Sequence, residues 1–174
     1  MSASAGESVV PRAPGRGGSL AWLVLSSAVV ILDQVSKWYV EQHLTLGVPV
    51  HVLPVFDLTL LHNTGAAFSF LAGATGWQRW LFTLLALGVS GLILVWLARL
   101  PREQPWTGAA LALVLGGAVG NVIDRMRLGH VIDFIHLHAG EWYWPAFNVA
   151  DSAISVGAVI LVVGVLFGDG RRSA

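Results

Sequence analysis

The chain has 174 residues, of which 55% are hydrophobic and only 11% are charged, whereas soluble domains carry roughly 25% charged residues. This balance favours lipid over water as the main solvent. Ten basic and ten acidic residues give a net charge of zero, which argues against a nucleic-acid partner. Because there is no cysteine, disulfides, thiolate metal ligands and a cysteine nucleophile are excluded.

The first 18 residues are rich in Gly, Ser, Ala and Pro and are predicted to form a disordered tail, residues 1–18. A cleaved signal peptide is the competing interpretation, because arginines precede an apolar run. That run, residues 19–40, is too long for a signal peptide and lacks a clear small-residue cleavage site. We therefore expect one membrane domain over residues 19–168 and a cytoplasmic tail at residues 169–174.

Four apolar segments each approach the ~20 residues that cross a bilayer as a helix. They are residues 19–40, 80–98, 104–123 and 146–167. The pattern predicts an all-α membrane protein with four transmembrane helices. Because the number of spans is even, both termini lie on the same side of the membrane.

The basic residues favour the cytoplasm for both termini, since short basic loops are retained there. Six arginines fall on the side of the termini and four basic residues on the opposite side, where three of them lie in or beside polar motifs. The first group is Arg12, Arg16, Arg99, Arg102, Arg171 and Arg172, and the second is Lys37, Arg79, Arg125 and Arg127.

The two outer connections differ from short loops. In residues 48–62 apolar and polar positions partly alternate, with Pro49 and Pro54 as interruptions, which predicts short strands and a small extracytoplasmic β-sheet. Residues 128–145 also mix apolar with polar positions, Asp133 among them.

Several polar residues lie in or beside the spans, and all are near the outer end: Asp33, Lys37, Asn121, Asp124, Arg125, Asn148 and Asp151. A carboxylate in a membrane helix costs at least ~2.5 kcal/mol, so each is a candidate functional residue. Asp33 and Lys37 are four positions apart on one helix face. We expect structural ion pairs between Asp33 and Lys37 and between Asp124 and Arg125.

Asp133 and Asp151 have no basic residue within four positions, apart from His130 and His136 near Asp133. Two carboxylates brought together share a proton, because adjacent like charges resist simultaneous ionisation. Such a pair supplies the base and the acid of an aspartic peptidase. The alternative is that Asp133 is an exposed loop acid, and the residues alone leave the two interpretations open.

The other polar signals are weaker. The six histidines include no HExxH arrangement, so we expect no zinc site, no other metal and no cofactor. There is also no GxSxG motif. Gly116, Gly117 and Gly120 within the third span are expected to permit close helix packing.

Five stretches in register closely resemble the lipoprotein signal peptidase family (signal peptidase II, aspartic peptidase family A8). They are LDQVSK at residues 32–37, NTGAAFS at 63–69, GGAVGNVIDR at 116–125, GHVIDF at 129–134 and PAFNVADS at 145–152. The resemblance covers roughly residues 20–167. No key polar position departs from the family pattern.

The resemblance implies four transmembrane helices, an outer-face sheet that cradles substrate, and an active site just inside the outer boundary of the bacterial cytoplasmic membrane. It implies that Asp133 and Asp151 form a catalytic dyad. It further implies that other polar residues orient the dyad or substrate, or support the polar end. The orienting residues are Asn63, Asn121, Arg125 and Asn148, and the supporting residues are Asp33, Lys37 and Asp124.

The family to which the chain is similar removes the signal peptide of a prolipoprotein, immediately before a cysteine that carries diacylglycerol. Globomycin-like peptides inhibit it. The expected partners are therefore diacylglyceryl-prolipoproteins and membrane lipid. Four helices enclose one site without a second subunit, so we expect a monomer.

Two other functions remain as alternatives. In a small proton-coupled transporter, Asp33, Asp124 and Asp151 would form a relay across the membrane. The gathering of polar groups at one end argues against it, because a relay needs carboxylates at mid-depth. In a noncatalytic scaffold that packs through its glycines, Asp133 and Asp151 would have no role.

Overall fold

The computed structural model describes residues 21–65 and 76–168. Four long helices pack together, and a four-stranded antiparallel sheet in the order β1-β2-β3-β4 lies at one end of the helices. In chain order the elements are α1 (Trp22–His43), β1 (Pro49–Leu53), β2 (Phe56–Asn63), α2 (Trp77–Arg99), α3 (Pro105–Leu128), β3 (Val131–Ala139), β4 (Trp142–Tyr143) and α4 (Val149–Gly168). The tails predicted at residues 1–18 and 169–174 lie outside the described residues.

The four helices confirm the four predicted spans. Each is long and apolar enough to cross a membrane, with a mean hydropathy between 1.3 and 2.4 over its most apolar window. Their outward faces carry large exposed apolar side chains, as a lipid-facing surface requires. The clearest difference is at α3, which continues to Leu128 and so includes Asp124 and Arg125 in the helix. The chain is thus a multi-pass membrane protein.

The central helix is α3, which packs against α1, α2 and α4. Its glycines permit this, as predicted. A Cβ on Gly120 would lie 2.6 Å from a carboxylate oxygen of Asp33 in α1, and a Cβ on Gly117 would overlap the backbone of Ala150 in α4. The lack of side chains at these positions therefore brings α1 and α4 close to α3 at the depth where the polar residues lie.

The predicted sheet is confirmed and is more extensive than the strands expected in residues 48–62. β1 and β2 form an antiparallel hairpin, and β3 adds to β2 with Asn63 opposite Val131 and Leu61 opposite Asp133. This register places the end of β2 beside the start of β3. It therefore brings Asn63 next to Asp133, although 70 positions separate them in the chain.

A small apolar cluster attaches the sheet to the helices. Val40 of α1, Leu60 of β2, and Ile132 and Phe134 of β3 are all buried together. Each fully buried apolar side chain of this size stabilises a fold by ~1.5–3 kcal/mol. The cluster therefore fixes the first residues of β3, including Asp133, against the helix ends.

Candidate active site

Five elements bring the predicted polar residues together at the sheet end of the helices: the second half of α1, the end of β2, the end of α3, the start of β3 and the start of α4. The side chains that they contribute are linked by one continuous set of hydrogen bonds and ion pairs. The members are Asp33, Lys37, Asn63, Asn121, Asp124, Asp133, Asn148 and Asp151.

The start of α4 positions Asp151. Asn148 immediately precedes the helix, and its side-chain oxygen accepts a hydrogen bond from the backbone N–H of Asp151 at 2.9 Å. In return, the backbone N–H of Asn148 donates to Oδ2 of Asp151 at 3.3 Å. This reciprocal arrangement is a capping box, with the acid in the third position of the helix. The other oxygen of Asp151 accepts a hydrogen bond from Nδ2 of Asn121 at 2.7 Å.

Asp133 is held in the same manner by two amide donors. Nδ2 of Asn63 donates to its Oδ2 at 2.9 Å, and Nδ2 of Asn148 donates to its Oδ1 at 2.8 Å. Its side chain is buried rather than exposed in a loop, so the structure disagrees with the loop-acid alternative. Asn148 thereby contacts both carboxylates, with its side chain on Asp133 and its backbone on Asp151.

Burial raises the pKa of Asp133 to about 7, from an ordinary value of 3.8, against the lowering effect of the hydrogen bond from Asn63. The neighbouring charge of Asp151 raises this pKa further, while Asn148 and Lys37 lower it. Near neutral pH, Asp133 is therefore protonated in a large fraction of molecules. A buried carboxyl that titrates near 7 beside a second carboxylate matches the requirement for general acid–base work.

Lys37 lies at the centre of the supporting groups and is almost completely buried. Its ammonium is 2.8 Å from Oδ2 of Asp33 and 2.8 Å from Oδ2 of Asp124, and it donates to Oδ1 of Asn121 at 3.0 Å. The predicted ion pair between Asp33 and Lys37 is therefore confirmed. All three N–H donors of the lysine have partners, which a buried ammonium requires.

The remaining oxygen of Asp33 ties α1 to α4. It accepts a hydrogen bond from the backbone N–H of Ala150 at 2.9 Å. This N–H lies in the first turn of α4, where backbone N–H groups have no partner within their own helix. Asp33 therefore helps to fix the helix start on which Asp151 lies.

The predicted ion pair between Asp124 and Arg125 is wrong. Neighbouring residues on an α-helix point ~100° apart because one turn takes 3.6 residues, so their side chains do not meet. Asp124 instead pairs with Lys37 and accepts a hydrogen bond from the backbone N–H of Ile132 at 3.2 Å. The guanidinium of Arg125 lies over the ring of Phe82, 5.5 Å from its centroid.

Sequence reasoning missed Gln34. Its amide nitrogen donates to Oδ1 of Asp124 at 2.8 Å and to the carbonyl of Gly120 at 3.3 Å, and lies 3.2 Å from Oδ2 of Asp33. The signal was available, because an amide in a transmembrane segment needs a polar partner just as a carboxylate does. The last four residues of the NTGAAFS motif, residues 66–69, lie outside the described residues.

Comparison with known proteins identifies the family of this chain. The sequence model of peptidase family A8, signal peptidase (SPase) II, matches residues 25–167. Proteins named lipoprotein signal peptidase are similar to the chain over most of its length. The one from Pseudomonas fluorescens is 57% identical over 156 residues, which are 88% of this chain and 92% of the relative. The one from Pseudomonas syringae pv. tomato is 59% identical over 148 residues, which are 84% and 86% of the two chains.

Two solved structures of bacterial membrane enzymes, both determined by the in meso method, have a similar fold. One has a TM-score of 0.77 and 26% sequence identity, and the similar region covers 88% of this chain and 92% of the chain in that structure. The other has a TM-score of 0.74 and 27% identity, with coverage of 84% and 93%. These similarities give no support to the transporter alternative.

Proposed function

Because this chain belongs to the signal peptidase II family, we propose that it is a membrane aspartic endopeptidase that removes the signal peptide from diacylglyceryl-modified bacterial prolipoproteins. Cleavage occurs immediately before the lipidated cysteine. The observation that carries the proposal is the pair of carboxylates at Asp133 and Asp151, which are held by the same residue, Asn148, and have amide donors on all four oxygens.

The proposed mechanism divides the two roles between the carboxyls. Asp151, ionised, takes a proton from a water molecule as the water oxygen attacks the scissile carbonyl carbon. Asp133, whose pKa is raised to about 7, gives its proton to the carbonyl oxygen. When the tetrahedral intermediate collapses, its C–N bond breaks, Asp151 gives its proton to the leaving amine, and a proton of the diol returns to Asp133.

The amide side chains keep the carboxyls ready for this exchange. Asn63, Asn121 and Asn148 donate hydrogen bonds to carboxylate oxygens, and hydrogen bonds to the charged form favour ionisation. They oppose the effect of burial, which favours the neutral form. The balance leaves a proton that can be transferred near neutral pH. Lys37 adds a positive charge that also lowers the pKa of Asp133.

We propose that the substrate is positioned by its lipid and by the sheet. The diacylglyceryl chains remain in the bilayer while the extended peptide reaches the dyad, so that anchoring reduces the entropy cost of the reaction. The edge strand β1 is exposed along all five residues and offers unpaired backbone groups for strand addition. A substrate without the lipid should be cleaved far more slowly, and equal rates would contradict the anchoring step.

The same proposal places the enzyme in the bacterial cytoplasmic membrane as a monomer, with both termini in the cytoplasm. The sheet and the dyad lie at the end of the bundle opposite the α2–α3 connection, at which Arg99 and Arg102 lie. Basic residues at that connection favour its retention in the cytoplasm. The dyad then lies near the outer face, where prolipoproteins present their modified cysteine.

The experiment that tests the proposal is cleavage of a diacylglyceryl-modified prolipoprotein by the purified protein in detergent. We expect Asp133→Asn and Asp151→Asn each to abolish cleavage. The exposed carboxylate Glu141, in the β3–β4 turn, provides the matched control Glu141→Gln, which should cleave at the parental rate. A chelator should leave the parental activity in place.

Three results would contradict the proposal in different ways. Activity in either dyad variant removes that aspartate from the catalytic role and directs attention to Asp124. Loss of activity with chelator alone contradicts a metal-free aspartic mechanism. An inactive parent contradicts the assigned substrate.

A further inference from the structure

A second cluster of polar side chains lies on the sheet, and the proposed peptidase reaction does not use it. It consists of His51 on β1, Asp57 on β2 and His138 on β3. Nδ1 of His51 is 2.7 Å from Oδ1 of Asp57, and Nε2 of His138 is 3.4 Å from the same oxygen. One ligand-type atom from each residue lies within 4.8 Å of the other two.

This cluster is separate from the dyad. Successive side chains of a strand point to opposite faces of its sheet. Because His138 is five positions after Asp133 on β3, the two side chains lie on opposite faces. A ligand at the histidine cluster would therefore not contact the catalytic carboxyls.

The polar atoms of the cluster are not satisfied by the protein. Asp57 is completely buried, yet its Oδ2 has no hydrogen-bond partner among the described residues. Both ring nitrogens of His138 are also buried without a hydrogen bond there. Buried polar groups usually have partners, so these atoms are available to a ligand from outside the chain.

We propose that His51, Asp57 and His138 bind a divalent first-row transition metal, best matched by Zn²⁺. The ion links strands β1, β2 and β3 on the face of the sheet away from the dyad. Two imidazoles and one carboxylate form a common set of ligands for zinc, and a water molecule completes the tetrahedron.

Two of the three ligand separations are near those that this ion requires. Tetrahedral bonds of ~2.0–2.1 Å place the ligand atoms about 3.3 Å apart, close to the 3.4 Å between His138 and Asp57. The 2.7 Å between His51 and Asp57 lengthens readily because the side chain of His51 is 74% exposed. That exposure also provides the route of entry and the open side for water. The ring of Tyr143 stacks on His138 at 5.0 Å and holds it in place.

The sequence could not predict such a site. It contains no HExxH spacing, and the three ligands come from three strands between which the chain forms two helices. The sequence analysis expected no zinc site and no other metal, and the proposed site departs from that expectation.

The test is titration of the tag-free, metal-stripped full-length protein in detergent with Co²⁺, whose visible spectrum reports tetrahedral coordination, followed by competition with Zn²⁺. We expect one equivalent to bind per chain. Loss of a residue that only orients a metal ligand weakens metal binding ~10–100-fold. We therefore expect loss of a direct ligand, in His51→Ala or Asp57→Asn, to weaken Zn²⁺ binding by about 100-fold or more. The exposed histidine His43 at the end of α1 provides the control His43→Ala, which should bind as the parent does.

His51→Ala keeps the test valid if Asp57→Asn fails to fold, because His51 projects into solvent. Zn²⁺ should also raise the Tm of the parent but not that of His51→Ala. Absence of tetrahedral Co²⁺ binding at micromolar concentrations, or equal affinity in the parent and His51→Ala, would overturn the proposal without affecting the assignment of the dyad.

Discussion

Replacing Asp133 with asparagine should change how the stability of the protein depends on pH. In the folded protein the pKa of this carboxyl is about 7, whereas its ordinary value is 3.8. Between these values the folded state holds a proton that the unfolded chain has released. The free energy of unfolding therefore falls as the pH rises from about 4 to about 7. At ~1.36 kcal/mol per pKa unit, the total effect has an upper limit of about 4 kcal/mol.

The neutral amide in Asp133→Asn should remove this pH dependence. The variant should therefore gain stability relative to the parent as the pH is raised from 5 to 8. A constant cost accompanies the change, because an amide has only one oxygen to accept the hydrogen bonds that Asn63 and Asn148 donate. For this reason the slope with pH, rather than the difference at one pH, is the quantity to compare.

The assay is thermal unfolding in detergent at several pH values between 5 and 8, followed by a fluorescence probe. Glu141→Gln provides the control, since this exposed carboxylate should leave the parental pH dependence intact. If Asp133→Asn and the parent lose stability with pH to the same extent, the pKa of Asp133 is not raised by its burial. The assignment of this residue as the proton donor would then have lost its physical basis.

Three further results are expected. The kcat/KM for a lipidated substrate should fall about tenfold per pH unit above pH ~7, as Asp133 loses its proton, and a pH–rate profile that is level from 6 to 9 would contradict the division of roles. Lys37→Met should lower the free energy of unfolding by ~3–5 kcal/mol, because it leaves two buried carboxylates uncompensated. Chemical unfolding measures this loss. A loss below about 1 kcal/mol would show that the ion pairs do not stabilise the fold. Gly117→Ala should lower the free energy of unfolding by ~1–3 kcal/mol, because the new methyl group overlaps the backbone of α4. Gly88→Ala should not lower it, because there is open space beside Gly88. Equal Tm values for the two variants would contradict the close packing of α3 against α4.

Much of the architecture is predictable because the membrane imposes simple rules. A helix must be long and apolar to cross lipid, so the four spans follow from composition alone. The same rule makes each polar residue in a span conspicuous, and it is sufficient to identify Asp33, Lys37 and Asn121 from the amino-acid sequence. The confirmed pair between Asp33 and Lys37 follows from a spacing of four on one helix.

What the sequence could not predict are contacts between distant elements. Adjacency in the chain favours Arg125 as the partner of Asp124, but helix geometry turns adjacent side chains apart, and the true partner, Lys37, lies in another helix. The burial of Asp133 depends on β3 pairing with β2, and one sequence does not reveal that register. Local spacing identifies which residues are costly in lipid, while tertiary packing decides which of them meet.

The start of α4 explains why folding and chemistry are linked in this protein. The first turn of a helix has N–H groups without partners inside the helix, and here two of them donate to Asn148 and Asp33. The acid of the capping box is Asp151 itself, so the hydrogen bonds that begin the helix also orient a carboxylate of the dyad. The amide of Asn148 then extends to Asp133 on the sheet. The relative position of the two carboxyls is therefore set by the same contacts that join the fourth helix to β3.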